Sequence, residues 1–183
     1  MRKALILSAA VAVAGALTSV ALAGNGGNLK SFGDGATTVQ GNKATLVVLP
    51  GHYAGVYKKS NQSKPLSKVR FHMVSYGDVQ GGAPRFSIAL DTNGVKKTTE
   101  SYAFLDAANC GATVGDNPAF TETVIDTALA NCKVSINTGG DFANWAALVA
   151  AHPSWQTSKA PSFVIADAPG EYHLKDISLY KLS

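Results

Sequence analysis

At 183 residues with 46% hydrophobic side chains, the chain has the size of one ordinary domain with a proper core. Its formal charge of +4 overstates how basic the working protein is, because Arg2 and Lys3 fall in an expected export leader. Without them 14 basic residues face 12 acidic ones, a net of +2, which argues against nucleic acid as a partner.

The leader is read over residues 1–23. "MRK" is a basic n-region, an Ala-rich apolar stretch follows, and "ALA" ending at Ala23 is a small-x-small cleavage site. Nothing after Ala23 is long and apolar enough to span a bilayer, so the mature chain is expected to be soluble and secreted, extracellular or at the cell surface. The two cysteines, Cys110 and Cys132, lie beyond that site, and an isolated pair in an exported protein is expected to form a disulfide.

Residues 24–43 are Gly-rich and weakly apolar and read as a flexible lead-in or irregular loop. The ordered domain is expected over 44–183. "ATLVVLP" (44–50) reads as a buried strand, and "GHYAGVYKKSNQSKPLSK" as a polar connection carrying Tyr53 and Tyr57. "VRFHMVSY" alternates as a half-buried strand. In "YGDVQGGAPRFSIALDTNG" the "GGAP" is a bend before the strand "RFSIAL", and Asn93-Gly94 marks a hairpin turn that "ESYAFLD" answers. Asp78 and Arg85 are expected to pair across that bend.

"FTETVID" and "CKVSIN" are further strand candidates. The one helix is expected at about 142–152, with Asp141 as N-cap, Pro153 as terminator, and Phe142, Trp145 and Leu148 or Val149 on its buried stripe. "FVIAD" is a strand. In the last strand Tyr172 and Leu174 share one face while Ile177 and Leu179 have the opposite parity. A β-bulge near Lys175–Asp176 would return all four to the core. Short strands between Gly, Pro and Asn turns indicate an all-β, antiparallel β-sandwich of jelly-roll-like form.

Catalytic constellations are sparse. Glu100, Glu122 and Glu171 form no acid-x-acid pair along one strand, as a glycosidase site would favour. There is no G-x-S-x-G elbow, and His52, His72, His152 and His173 are scattered. Calcium is the more plausible ion. Asp91 and Asn93 in "DTNG" begin like an oxygen-donor loop but Lys96 and Lys97 follow, which leaves Asp176 at the expected bulge as the candidate ligand of a structural calcium. Trp155, Tyr53 and Tyr57 sit in polar stretches and read either as platforms for sugar rings or as caps on the core edge. The lysines around Lys58 and Lys68 could meet acidic glycan but read better as a solvated loop.

"GGAPRFSIALDTNG", "YAFLDAANCG", "GGDFANWAALVAAHP" and "PSFVIADAPG", within Phe71 to Tyr180, resemble a recurring set in a group of secreted bacterial β-sandwich proteins of unknown function. The last strand is also similar to those that close jelly-roll carbohydrate-binding modules. The resemblance implies export and a β fold, and brings no catalytic residues. The expectation is therefore a secreted, non-catalytic domain that binds polysaccharide or cell-surface glycan. A structural or protein-interaction role at the cell surface is the alternative, with a glycan-cleaving hydrolase behind it.

Overall fold

The computed structural model describes residues 29–59, 63–94, 99 and 101–182. The expected leader, residues 95–98 with Lys96 and Lys97, and Glu100 lie outside them. In chain order the strands are β1 (Leu29–Gly33), β2 (Ala36–Gln40), β3 (Lys43–Val48), β4 (Ala54–Lys58), β5 (Val69–Gly77), β6 (Arg85–Asp91) and β7 (Ser101–Asp106). They continue with β8 (Thr123–Asp126), β9 (Val134–Ile136), β10 (Asp141–Phe142), β11 (Gln156–Thr157), β12 (Phe163–Ala166) and β13 (Gly170–Leu182), and helix α1 (Trp145–Ala151) lies between β10 and β11.

These strands form two antiparallel sheets, an all-β sandwich. One has the order β1-β4-β12-β6-β7-β9-β10 with β11 attached to β6; the other has β2-β3-β13-β5-β8. The chain passes from one sheet to the other several times, and the alternation of side chains along each strand sets the core between them. Leu46, Phe71, Met73 and Tyr172 from one sheet meet Val56, Phe86, Ile88, Leu105 and Val164 from the other, and each is fully buried. Edge-on contacts of Phe71 with Phe86 at 5.9 Å and with Trp145 at 6.1 Å tie both sheets to α1.

The slip in the last strand is resolved by irregular pairing. β13 pairs with β5 in register up to Lys175, shifts before Ser178 and shifts again before Lys181. Asp176 and Tyr180 take left-handed φ of 55° and 64° at the two shifts. The extra residue at the first shift restores parity, so Tyr172, Leu174, Ile177 and Leu179 are all buried. β6 and β7 form the expected hairpin, from Arg85 opposite Asp106 to Leu90 opposite Ser101. Its turn begins with Asp91 accepting a 2.6 Å hydrogen bond from the Gly94 amide.

Several local expectations are corrected. The irregular lead-in does not extend through residues 29–40, which form β1 and β2. These are outermost strands held by ladders to β4 and β3, so they form without an apolar run of their own. The polar connection around Tyr57 is strand β4, paired on both sides by β1 and β12. β3 is not buried on both faces: Ala44, Leu46 and Val48 point inward while Val47 remains 37% exposed.

The helix cap is Asn144, whose Oδ1 accepts from the Ala147 amide at 3.0 Å. Asp141 is instead in β10, paired to β9 and bridged to Lys133 at 2.7 Å. Phe142 precedes the helix and meets the His152 ring edge-on at 5.6 Å. Asp78 and Arg85 do not pair. Gly81 and Gly82, with φ of 55° and 82°, make a two-residue turn between Gln80 and Ala83, which bond reciprocally at 3.1 and 2.7 Å. The bend aims Arg85 at Asp167, while Asp78 accepts from the Glu171 amide at 2.8 Å.

Cys110 and Cys132 form the expected disulfide, joining the turn after β7 to the turn before β9. A Cys110→Ser/Cys132→Ser chain should unfold at lower denaturant, with a loss of about 3 kcal/mol from the freed loop of about 23 residues. Equilibrium unfolding in urea measures this, and an unchanged midpoint would contradict it.

Candidate functional site

Residues directly opposite in an antiparallel ladder point to the same side of the sheet. Across the larger sheet, Tyr57 faces Phe163, Phe163 faces Ser87, Ser87 faces Phe104, and Phe104 faces Ser135. Their neighbours in sequence, Val56, Val164, Phe86, Leu105 and Val134, are buried in the core. The first set must therefore lie on the outer face. Phe32 of β1, opposite Gly55, and Tyr102 of β7, opposite Ala89, lie on the same side.

The result is a band of half-buried aromatic rings on the outside of a β-sheet. Phe32 is 6.1 Å from Tyr57, 6.3 Å from Tyr53 and 5.3 Å from Phe163. Phe163 is 5.8 Å from Tyr102, and Tyr102 lies 6.5 Å from Phe104 with planes only 8° apart. From β1 to β7 is four strand spacings, about 19 Å at about 4.8 Å each. The rings need small residues beneath them. A Cβ on Gly55 would come within 2.5 Å of the Phe32 ring, while Ser87 and Ala89 are almost wholly covered.

One end of the band carries charge. The guanidinium carbon of Arg85 lies 5.5 Å from the centre of the Phe104 ring. Both terminal nitrogens of Arg85 donate to Asp167 at 2.6 Å, and this pairing outweighs burial to hold the Asp167 carboxyl below its ordinary value. The Arg85–Asp167 fork fixes the rim while leaving hydrogen-bonding edges next to the rings.

Tyr53, 43% exposed, and Tyr57 join this band through Phe32. Trp155 does not. It lies in the turn after α1 with one ring face stacked on His152 at 3.7 Å and 9°, and its body packs on the core. Sequence reasoning does not single out Phe32, Phe104 or Phe163, because any apolar residue in a strand is first read as core. A signal exists in β7 and β12, where both parities are apolar. In "YAFL" the bulky pair is Tyr102 and Phe104, yet Ala103 and Leu105 fill the core.

The outer face of the other sheet holds the main ionic cluster. Asp126, 1% exposed, accepts from Arg70 Nε at 2.9 Å and from Arg70 Nη2. It also accepts from His72 Nδ1 at 2.7 Å and from the Ala128 amide at 2.8 Å. Burial pushes its carboxyl up, but Arg70, the Ala128 amide and His72 together outweigh burial and hold it below the ordinary carboxylate value. Arg70 and His72 of β5 both bind Asp126 of β8, so the cluster clamps the two strands together. The other acids of interest are also paired, Glu122 with Lys175 and Glu171 with His173 at 3.1 Å.

Asp176 is exposed and accepts from the Asn42 side-chain amide at 3.3 Å. Among the described residues no group of three or more His, Cys, Asp or Glu side chains is gathered that could hold an ion there.

The Asp126 clamp makes acid stability predictable in sign. A carboxyl that titrates lower in the folded chain than its unfolded value of about 3.9 stabilises fully above about pH 5, and this is lost as pH falls through the folded value. Asp126→Asn should lower stability at pH 7 by about 2–4 kcal/mol and flatten the acid limb of the stability curve. Parallel acid limbs for the two proteins, in urea titrations from pH 7 to 2, would show that the clamp does not set it. No protein-family model, curated protein or solved structure matches this chain.

Proposed function

We propose that the chain is an exported, non-catalytic β-sandwich that binds polysaccharide or cell-surface glycan across the outer face of its eight-stranded sheet. The observation that carries this reading is the aromatic band from Tyr53 and Phe32 to Phe104, about 19 Å long. Aromatic rings left half exposed in a row offer apolar faces to the C–H faces of sugar rings, while Tyr hydroxyls and neighbouring polar groups can meet sugar hydroxyls. Ser135 and the Arg85–Asp167 fork supply such groups at one end.

Export is supported by the leader read over 1–23 and by the Cys110–Cys132 disulfide, a bond favoured outside the cytosol. No helix among the described residues is long and apolar enough to cross a membrane. A second reading, a protein-interaction role at the cell surface, is favoured by one observation on the opposite sheet. There Phe120 is 54% exposed and lies against Tyr76 and His173, near the exposed Val124 of β8.

A pull-down on insoluble cellulose, chitin, xylan and peptidoglycan tests both readings. Wild type should be retained on at least one, and Phe163→Ala or Tyr102→Ala should weaken retention at least about tenfold, as expected for central anchor residues. Trp155→Ala and Phe120→Ala should bind like wild type. Retention on none of these matrices, alongside capture of a protein partner that survives deglycosylation and is lost in Phe120→Ala, would favour the second reading.

A further inference from the structure

A pocket of about 220 Å³ lies at the free edge of β5, just past the end of β8, walled by residues of the segment 111–123. It is smaller than drug-sized sites of about 300–1,000 Å³, so it suits a ligand of about one sugar ring. Two oxygens without partners mark it as more than a packing gap. The first is the Ser75 hydroxyl. Ser75 is 2% exposed, and its Oγ has no hydrogen-bond partner among the described residues. By parity it shares the inner side of β5 with Phe71 and Met73, and Thr123, directly opposite, shares that side. Both Ser75 and Thr123 line the pocket. A buried hydroxyl left unpaired is destabilising, and packing alone would be served better by Ala.

The second is the Gly77 carbonyl. The Asp78 amide donates to Glu171 at 3.0 Å, on the β13 side. Across the trans peptide the Gly77 carbonyl points the opposite way, to the edge that β8 would occupy. β8 has ended opposite Ser75, and the next contact on this edge is the bridge of Val79 to Gly115. Among the described residues no donor meets the carbonyl between them, and Gly77 lines the pocket.

The rest of the lining is acidic or neutral. Asp116, exposed at the mouth, accepts from the neutral Gln80 amide at 3.2 Å, and no cation among the described residues pairs with it. Glu122 is committed to Lys175, and both ends of the Asn117 side-chain amide are committed to Thr121, at 2.9 and 3.0 Å. No Lys, Arg or His lines the pocket. Unmet oxygens inside and one unpaired carboxylate at the mouth suit a ligand that donates hydrogen bonds and carries positive charge.

We propose that this pocket binds a small hydroxylated primary ammonium ligand of amino-sugar size. Its hydroxyls donate to the Gly77 carbonyl and the Ser75 hydroxyl, and its ammonium pairs with Asp116 at the mouth. The Cys110–Cys132 disulfide and the Asn117–Thr121 bonds hold the wall in place before a ligand arrives. The pocket shares no residue with the aromatic band, so it stands or falls independently of glycan binding there.

The test is a chemical-shift titration of the full chain with glucosamine, glucose and glucuronate, which share a ring and differ in charge, at about pH 6 where the amine is protonated. Glucosamine should bind about three- to fivefold more tightly than glucose, and glucuronate more weakly than both. Shifts should centre on residues 75–79 and 111–123. Ser75→Ala should weaken glucosamine and glucose alike, by about fivefold, and leave the urea midpoint equal to or above that of wild type, because it removes only an unpaired hydroxyl. Asp116→Asn, at an exposed position, should bring glucosamine to the level of glucose and leave glucose unchanged. No binding of glucosamine, equal binding of glucosamine and glucuronate, shifts centred on the aromatic band, or a Ser75→Ala chain that is destabilised yet binds like wild type would each overturn the proposal.

Discussion

The fold turns on how one long strand, β13, stays paired while changing parity. A continuous ladder from Gly170 to Leu182 would put Tyr172 and Leu174 inside and Ile177 and Leu179 in solvent. Left-handed residues at Asp176 and Tyr180 break the ladder twice. Each such residue costs on the order of 1 kcal/mol, whereas leaving two large aliphatic side chains exposed would forgo about 3–6 kcal/mol of burial. The bulges win, and β13 can serve as the central strand of its sheet, with β3 on one side and β5 on the other.

The second break also reaches the opposite sheet. It aims Tyr180 inward, 5.2 Å from the Phe71 ring, and places its hydroxyl at 2.5 Å to accept from the Ser162 amide. Ser162 in turn accepts from the Ala89 amide through its Oγ at 3.1 Å. These bonds fix the segment that enters β12, whose first residue is Phe163, the ring at the middle of the outer aromatic band. A backbone irregularity in one sheet is thereby linked, through one phenol and one serine, to the aromatic outer face of the other. The clamp at Asp126 plays a comparable part for β8, which otherwise depends on only four register pairs with β5.

Much of this was legible in the sequence where the signal was local. The parity slip in "YHLKDISL" predicts the bulge, the cysteine pair predicts the disulfide, and Asn93-Gly94 with alternating flanks predicts the β6–β7 hairpin. Less local features were not legible. β1 is held by a ladder to β4, whose nearest partner lies 21 positions away (Gly33 opposite Ala54), and its segment "LKSFG" carries little strand signal of its own. Arg85 finds Asp167 rather than Asp78 because β12 is laid beside β6, a consequence of topology that no short window contains. The site divides in the same way. Tyr53 and Tyr57 stand out because they interrupt a polar stretch, whereas Phe32, Phe104 and Phe163 look like core until the pairing fixes which parity faces outward.

The two sheets thus have different outer faces. One is a band of rings over Gly55, Ser87 and Ala89; the other is ionic, with Arg70, His72, Asp126, Lys175 and Glu122 among its residues. Small residues beneath large half-buried rings are an arrangement that packing alone does not require, since Leu105 and Val164 already fill the core from the same strands. If the aromatic face is the glycan-binding surface, chemical-shift mapping with soluble cellohexaose, chitohexaose and xylohexaose will find it there. The account predicts that at least one oligosaccharide shifts signals in a continuous band through Phe32, Tyr57, Phe163, Tyr102 and Phe104. Shifts confined to the ionic face or to the Trp155 turn, or no shifts with any of the three, would contradict it.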